Sequence, residues 1–439
     1  FSKLSHNLEL KKSANQEAKV SEPSDPPQML VSVIINLHDK SEFEEAIEQT
    51  EILIKDYPNS SILMNLQGNA YADLGQIIDA IKFFKKSIEL NASYADPHYN
   101  LGHVYQSDDK YYDAITCYKR AIEINPNYCA AYNNLGNSYK EIGDLDAAIN
   151  SFKKAINLEP KFADAYNNLG TTLTAMGDLD EAMDSFQTAL KIKPDTPDFY
   201  NNMGITLREQ KKWIEAVDAF KKSIILQPDY AEAHNNMGGA LQEQDKLNEA
   251  IEAYNTALSL KPDYADAYYN MGNAFKAQGK LEEAIEAYNT ALYLRPDYAG
   301  AYNNIGVSLQ NQNNLEQAVE AYNKAISIKP EYAEVYWNLS GTTEDIIEAK
   351  KWVTKCLEAN PNYSKAKLTS SALEFYEGDK TYFNELMKSP LKDHSYMRSF
   401  DWVFGLPKLP PLHFHRWALF DHMINLGKKE RPFYEFGVW

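Results

Sequence analysis

Eight asparagines recur every 34 residues, at Asn100, Asn134, Asn168, Asn202, Asn236, Asn270, Asn304 and Asn338, each two positions ahead of a small residue inside a helical pattern. A carboxamide offers both a donor and an acceptor, so a row of them can pair with peptide groups of either polarity. Such a row holds an extended chain without reading its sequence. The residue before is often Asn too (Asn133, Asn167, Asn201, Asn235, Asn303), and one turn on stand Lys140, Thr174, Arg208, Gln242, Lys276 and Gln310. The plainer reading of the same pattern is that these side chains contact the neighbouring repeat or water. Two other places invite chemistry. Glu435-x-Gly437 follows apolar residues near the end of the chain, and His415 and His422 lie seven apart beside His413. No Cys completes the histidine group and Asp421 is its nearest acid, so it is not read as a metal site. Spacing supports no phosphate loop, nucleophile elbow or catalytic triad, and no catalytic residue is assigned.

The elements that position the asparagines are set by a strict beat. Pro126, Pro160, Pro194, Pro228, Pro262, Pro296 and Pro330 are 34 apart, as are Gly68 to Gly306 and Ala80 to Ala318. A period of that length is one supersecondary unit repeated. In residues 129–162, Tyr132, Leu135, Gly136 and Tyr139 share one helical face. Gly143 supplies a left-handed residue that ends this first helix. Ala148, Ile149, Phe152, Ala155, Ile156 and Leu158 then mark the inner face of a second, which Pro160 stops. The Asn or Asp after the proline (Asn127, Asp195, Asp229, Asp263, Asp297) is expected to cap the next helix. Tyr128, Tyr230, Tyr264, Tyr298 and Tyr332, also on the beat, are expected to pack between repeats.

Tyr132-x2-Leu135-Gly136-x2-Tyr139, Ala148-x3-Phe152 and Pro160 together resemble the tetratricopeptide repeat. The resemblance implies an all-α, right-handed solenoid of helix-turn-helix repeats, with an irregular tail. Eight intact copies span 61–332, a degenerate capping repeat 27–60 and another degenerate repeat 333–363 flank them, and a polar segment 1–26 precedes them. In this family the first helices line a concave face, which makes the asparagine row a partner-binding groove. The row is similar to the one in the superhelix of the O-linked N-acetylglucosamine transferase, although nothing outside the repeats resembles that enzyme's catalytic region. The cochaperones of the family that grip a terminal carboxylate place Lys where this chain has Asn or Tyr, so a chaperone-tail receptor is not expected.

Charge and cysteine content narrow the partners. The formal charge of -18 divides into +2 for residues 364–439 (11 Lys/Arg against 9 Asp/Glu) and -20 for the rest. An acidic repeat body argues against nucleic acid and anionic lipid. Three cysteines with no metal spacing fit a reducing, cytoplasmic setting. No apolar run reaches the length of a membrane span, and the opening residues lack the apolar core of a signal peptide. A first residue Phe1 rather than Met leads to the expectation of processing or truncation upstream.

Past Pro361 the beat ends. Residues 364–389 read as a helical transition, and 390–439 as a Pro-rich, aromatic tail. The tail is similar to the start of a class I S-adenosylmethionine-dependent methyltransferase domain, in which an acidic residue and a Gly-rich turn follow the first strand. Glu435 and Gly437 match, and the resemblance implies S-adenosylmethionine as a cofactor of a longer parent, with none held by this chain. Three readings follow. The first is a protein-interaction module with an extended protein or peptide in its groove. The second is the recognition half of a methyltransferase. The third is a structural protein forming homo-oligomers or filaments through repeats and tail.

Overall fold

In the computed structural model, residues 25–376 other than 344 are described, together with residues 381, 385, 388 and 389. Among the described residues there are 21 α-helices and no strand. They fall into two compact units, one ending at Lys211 and one beginning at Lys212. The first unit holds α1 (Gln28–Asp39), α2 (Phe43–Asp56), α3 (Ser61–Asp73), α4 (Ile77–Leu90), α5 (Ala95–Ser107), α6 (Tyr111–Ile124), α7 (Cys129–Glu141), α8 (Leu145–Leu158), α9 (Ala163–Met176), α10 (Leu179–Ile192) and α11 (Pro197–Glu209). The second holds α12 (Trp213–Leu226), α13 (Ala231–Gln242), α14 (Leu247–Leu260), α15 (Ala265–Ala277), α16 (Leu281–Leu294), α17 (Ala299–Asn311), α18 (Leu315–Ile328), α19 (Ala333–Ser340), α20 (Ile346–Ala359) and α21 (Ser364–Tyr376). Odd-numbered helices up to α19 are the first helices of their repeats. Within each unit a helix packs on its sequence neighbours, so the chain stacks pair on pair. That is the helix-pair solenoid expected from the beat.

Each pair closes around one aromatic ring. On α8, Ala148, Ser151, Phe152 and Ala155 are buried while Lys153 and Lys154 face solvent. Phe152 is fully buried against α7, where a Cβ on Gly136 would stand 2.6 Å from the ring. Gly238 meets Tyr254 at the same 2.6 Å in the second unit. The glycine column is therefore a seat for the ring, and any larger residue there overlaps it.

Helix ends confirm one expectation and correct another. Gly143 is left-handed, with φ +81°, and the same slot is left-handed in every repeat from Ser41 to Asn313. In five of these nine slots the residue is not Gly: Ser41, Asp109, Lys211, Asp245 and Asn313. The capping expectation is overturned. Asn127, Asp229, Asp263 and Asp297 each sit one residue ahead of the N-cap, which is Tyr128, Tyr230, Tyr264 or Tyr298, and none of these helices has a side-chain cap. Asp195 likewise precedes the uncapped Thr196. The backbone explains the shift: the carbonyls of Asn127, Asp229, Asp263 and Asp297 accept the N–H two residues on, at 2.9–3.1 Å, so the turn is made by main chain. The N-cap tyrosine is held instead by packing. Tyr128 stacks 4.9 Å from Tyr99, and Tyr298 4.6 Å from Tyr269, each on the preceding repeat.

Candidate functional site

The asparagine row sits on the first helices, and its main visible contact is with the repeat before. Asn168 Nδ2 donates to Asn133 Oδ1, Asn202 to Asn167 and Asn270 to Asn235, each at 3.0 Å and each 35 residues back. Asn100 bonds Asn65 at 3.0 Å, and Asn338 bonds Asn303 at 2.9 Å. Two members use a phenol: Asn134 donates to Tyr99 Oη at 3.0 Å, and Asn304 to Tyr269 Oη at 3.1 Å. Asn236, Asn304 and Asn338 are buried, the others half-buried. The second asparagine column, noticed in the sequence only as further polarity, is thus the acceptor of the first. A separation of 35 has no meaning within one helix, which is why helical spacing did not reveal the pairing.

Each of these bonds uses one of the two Nδ2 hydrogens. No protein donor reaches the Oδ1 of Asn168, Asn202 or Asn270 among the described residues, whereas Asn134 Oδ1 takes Asn133 Nδ2 at 3.2 Å and Asn304 Oδ1 takes Lys276 Nζ at 3.1 Å. Asn168, Asn202 and Asn270 therefore keep an unmatched acceptor, beside the second hydrogen of each Nδ2. Where the row starts, Leu66 stands in place of Asn, and a cavity of about 400 Å³ opens between α1, α3 and α5. Its wall includes His38, whose Nε2 lies 3.2 Å from the Leu66 carbonyl and whose Nδ1 lies 3.4 Å from Asp73 Oδ2.

The two tyrosine-bridged places are built alike, 170 residues apart. In each, the ladder Asn bonds a tyrosine (Tyr99, Tyr269) that stacks on the next N-cap tyrosine and tilts against the buried column tyrosine (Tyr118 at 5.8 Å, Tyr288 at 5.7 Å). Tyr128 Oη reaches Asp96 at 3.1 Å, and Asp266 is held by both Arg295 nitrogens at 2.9 Å. Burial raises the Tyr99 and Tyr269 hydroxyls above the ordinary phenol range, keeping them protonated donors and acceptors. The Arg295 guanidinium bonded to Asp266 holds that carboxyl below the usual carboxylate value.

One further pairing obeys a rule. Where the column residue is Tyr, the slot twelve positions earlier is Gln and accepts its hydroxyl: Tyr118 to Gln106 at 2.7 Å, Tyr254 to Gln242 at 3.3 Å and Tyr322 to Gln310 at 2.9 Å. Where the column residue is Phe, the slot holds Ala72, Lys140, Thr174 or Arg208. The exception is Tyr288, which faces Lys276 in that slot and turns to Asn273 Oδ1 at 2.8 Å instead. This co-occurrence was present in the sequence and could have been read there.

Residues 41–266, just over half of the chain, match the family of the Cilia and flagella-associated protein 70 C-terminal domain. The chain belongs to that family. Tetratricopeptide repeat models match residues 253–286 and 299–332, and a further one, described as TPR repeat, matches 272–313. These tetratricopeptide repeats have likenesses among solved structures. MamA is 29% identical, with a TM-score of 0.35, over 38% of this chain and 97% of that one. YrrB, described as a TPR protein with an unusual peptide-binding site, is 26% identical, with a TM-score of 0.34, over 42% and 95%. PilF of Pseudomonas aeruginosa is 20% identical, with a TM-score of 0.42, over 47% and 94%. No curated protein matches the chain.

Glu435, Gly437 and the three tail histidines lie outside the described residues. No helix among the described residues is long and apolar enough to cross a membrane. No group of three or more His, Cys, Asp or Glu there is placed to hold a metal.

Proposed function

We propose that this tetratricopeptide chain is a protein-interaction module that holds an extended polypeptide along the first helices within a unit, gripping the partner's backbone through that unit's asparagines. The observation that carries this reading is the asymmetry of the row. One hydrogen of each Nδ2 is bonded to the repeat before, while the Oδ1 atoms of Asn168, Asn202 and Asn270 meet no protein donor among the described residues. Unmatched acceptors suit the backbone N–H groups of an extended chain, which have no partner of their own in that conformation. The acidic body, at -20 outside residues 364–439, favours such a polypeptide over nucleic acid.

The test uses 12-residue peptides selected against the full chain by phage display, each then remade with single backbone N-methyl groups. N-methylation at the residues over the row removes one donor and is expected to weaken binding about tenfold. A scan in which no N-methyl position matters would refute a backbone-gripping row.

A further inference from the structure

Lys276 is the one place on this layer where the repeat breaks its own rule. The slot holds Gln in the other tyrosine repeats, where the amide oxygen accepts the buried hydroxyl. A lysine cannot accept, so Tyr288 re-pairs with Asn273 and the ammonium reaches across to Asn304 Oδ1 on the next first helix at 3.1 Å. Lys276 is half-buried. Burial lowers its pKa from the usual lysine value, and Glu334 pulls the other way without forming an ion pair with it. A charge taken partly out of water, hydrogen-bonded to a neutral amide and drawn to Glu334 without direct contact, is unfavourable for the fold, because burial outweighs that attraction. Glutamine there would satisfy Tyr288 and remove that cost, as Gln310 does for Tyr322 in the next repeat. An ammonium has three donors, and one is spent on Asn304.

We propose that Lys276 is an anion subsite that takes a carboxylate side chain of the extended partner, giving the otherwise sequence-blind asparagine row one point of readout. The proposal rests on the polypeptide-binding reading above and adds the chemistry of one partner residue. A monoanion fits better than a phosphate, because a single ammonium near Glu334 leaves a dianion half uncompensated.

The probes are two nonapeptides, acetyl-Ala-Ser-Ala-Ser-Glu-Ser-Ala-Ser-Ala-amide and its twin with Gln at the centre. They are titrated into the full chain labelled with ¹³C at lysine Cε, with the Lys276 resonance assigned from Lys276→Gln. The Glu peptide is expected to move the Lys276 signal saturably and to bind about tenfold tighter than the Gln peptide. Lys276→Gln, which installs the residue the other tyrosine repeats already carry, is expected to fold and to erase that difference while keeping the weaker affinity for the Gln peptide. Equal affinities in the wild-type chain, or a Glu preference that survives Lys276→Gln, would overturn the carboxylate subsite alone. Failure of both peptides to bind would overturn it together with the polypeptide reading beneath it.

Discussion

The bridge between Asn168 and Asn133 can be weighed directly, and its weight decides how the whole row must be tested. Asn168→Ala deletes a 3.0 Å hydrogen bond and leaves Asn133 Oδ1, on a residue only 7% exposed, without its donor. The bond is worth about 1 kcal/mol net, and an orphaned buried acceptor costs about 1 kcal/mol more. Alanine's better helix propensity returns about 0.5 kcal/mol, so the expected loss is about 1.5 kcal/mol. Asn133→Ala loses the same bond and its own 3.2 Å bond to Asn134 and gains the same propensity, for about 1.5 kcal/mol. In the double variant no acceptor is left stranded, and propensity terms cancel around the cycle. The shared bond is counted in both single variants and the stranded acceptor in only one, so the two losses should fall short of additive by about 2 kcal/mol. Long repeat arrays do not unfold as one unit, so the readout is local opening of α7 and α9 by hydrogen exchange rather than a global midpoint. Asn157→Ala, an exposed asparagine on α8, is the control and should change little. Losses additive to within about 0.4 kcal/mol would mean that the bridge does not couple the two repeats, and the structural account of the row would fail.

Two further outcomes follow from the repeat geometry. Gly136→Ala places a Cβ 2.6 Å from a fully buried phenyl ring, so the gain in helix propensity of about 1 kcal/mol is outweighed. A net loss of about 1–2 kcal/mol in local stability, read by hydrogen exchange of α7 and α8, is expected, and a stabilised variant would show that the ring is not fixed. Lys211→Gly acts in the opposite direction, because Lys211 holds φ +59° where four sister repeats use Gly. Relief of the left-handed strain, less the added chain entropy, should stabilise the turn by about 0.5 kcal/mol, measured by the exchange of α11, and a loss would contradict it.

The sequence made the helix pairs plain because every column of the beat answers to a local requirement: a ring, a seat for the ring, a left-handed slot and a breaker. It misled where one requirement has two solutions. Gly143 pointed to the left-handed slot, yet Lys211 and Asn313 fill it without Gly. Asp229 and Asp263 looked like caps, yet the tyrosine that follows carries the N-cap position and the turn closes through main chain. The asparagine row was visible as a column, but its partner column lies a full repeat away. Only stacking brings Asn168 to Asn133.

That pairing changes what a mutation in the row means. An asparagine-to-alanine change loosens the stack as well as removing an acceptor from the exposed layer, so lost binding alone does not separate the two roles. N-methylation of the peptide does, because it leaves every repeat intact and removes the donor from the other side. The same logic singles out Lys276. At most positions of this layer a polar side chain is explained by the repeat next door, and its presence says little about a ligand. At Lys276 the neighbour supplies one amide oxygen, the tyrosine that would have used the slot has been redirected, and Glu334 acts on the charge only at a distance, so two of its three donors remain for the proposed partner carboxylate.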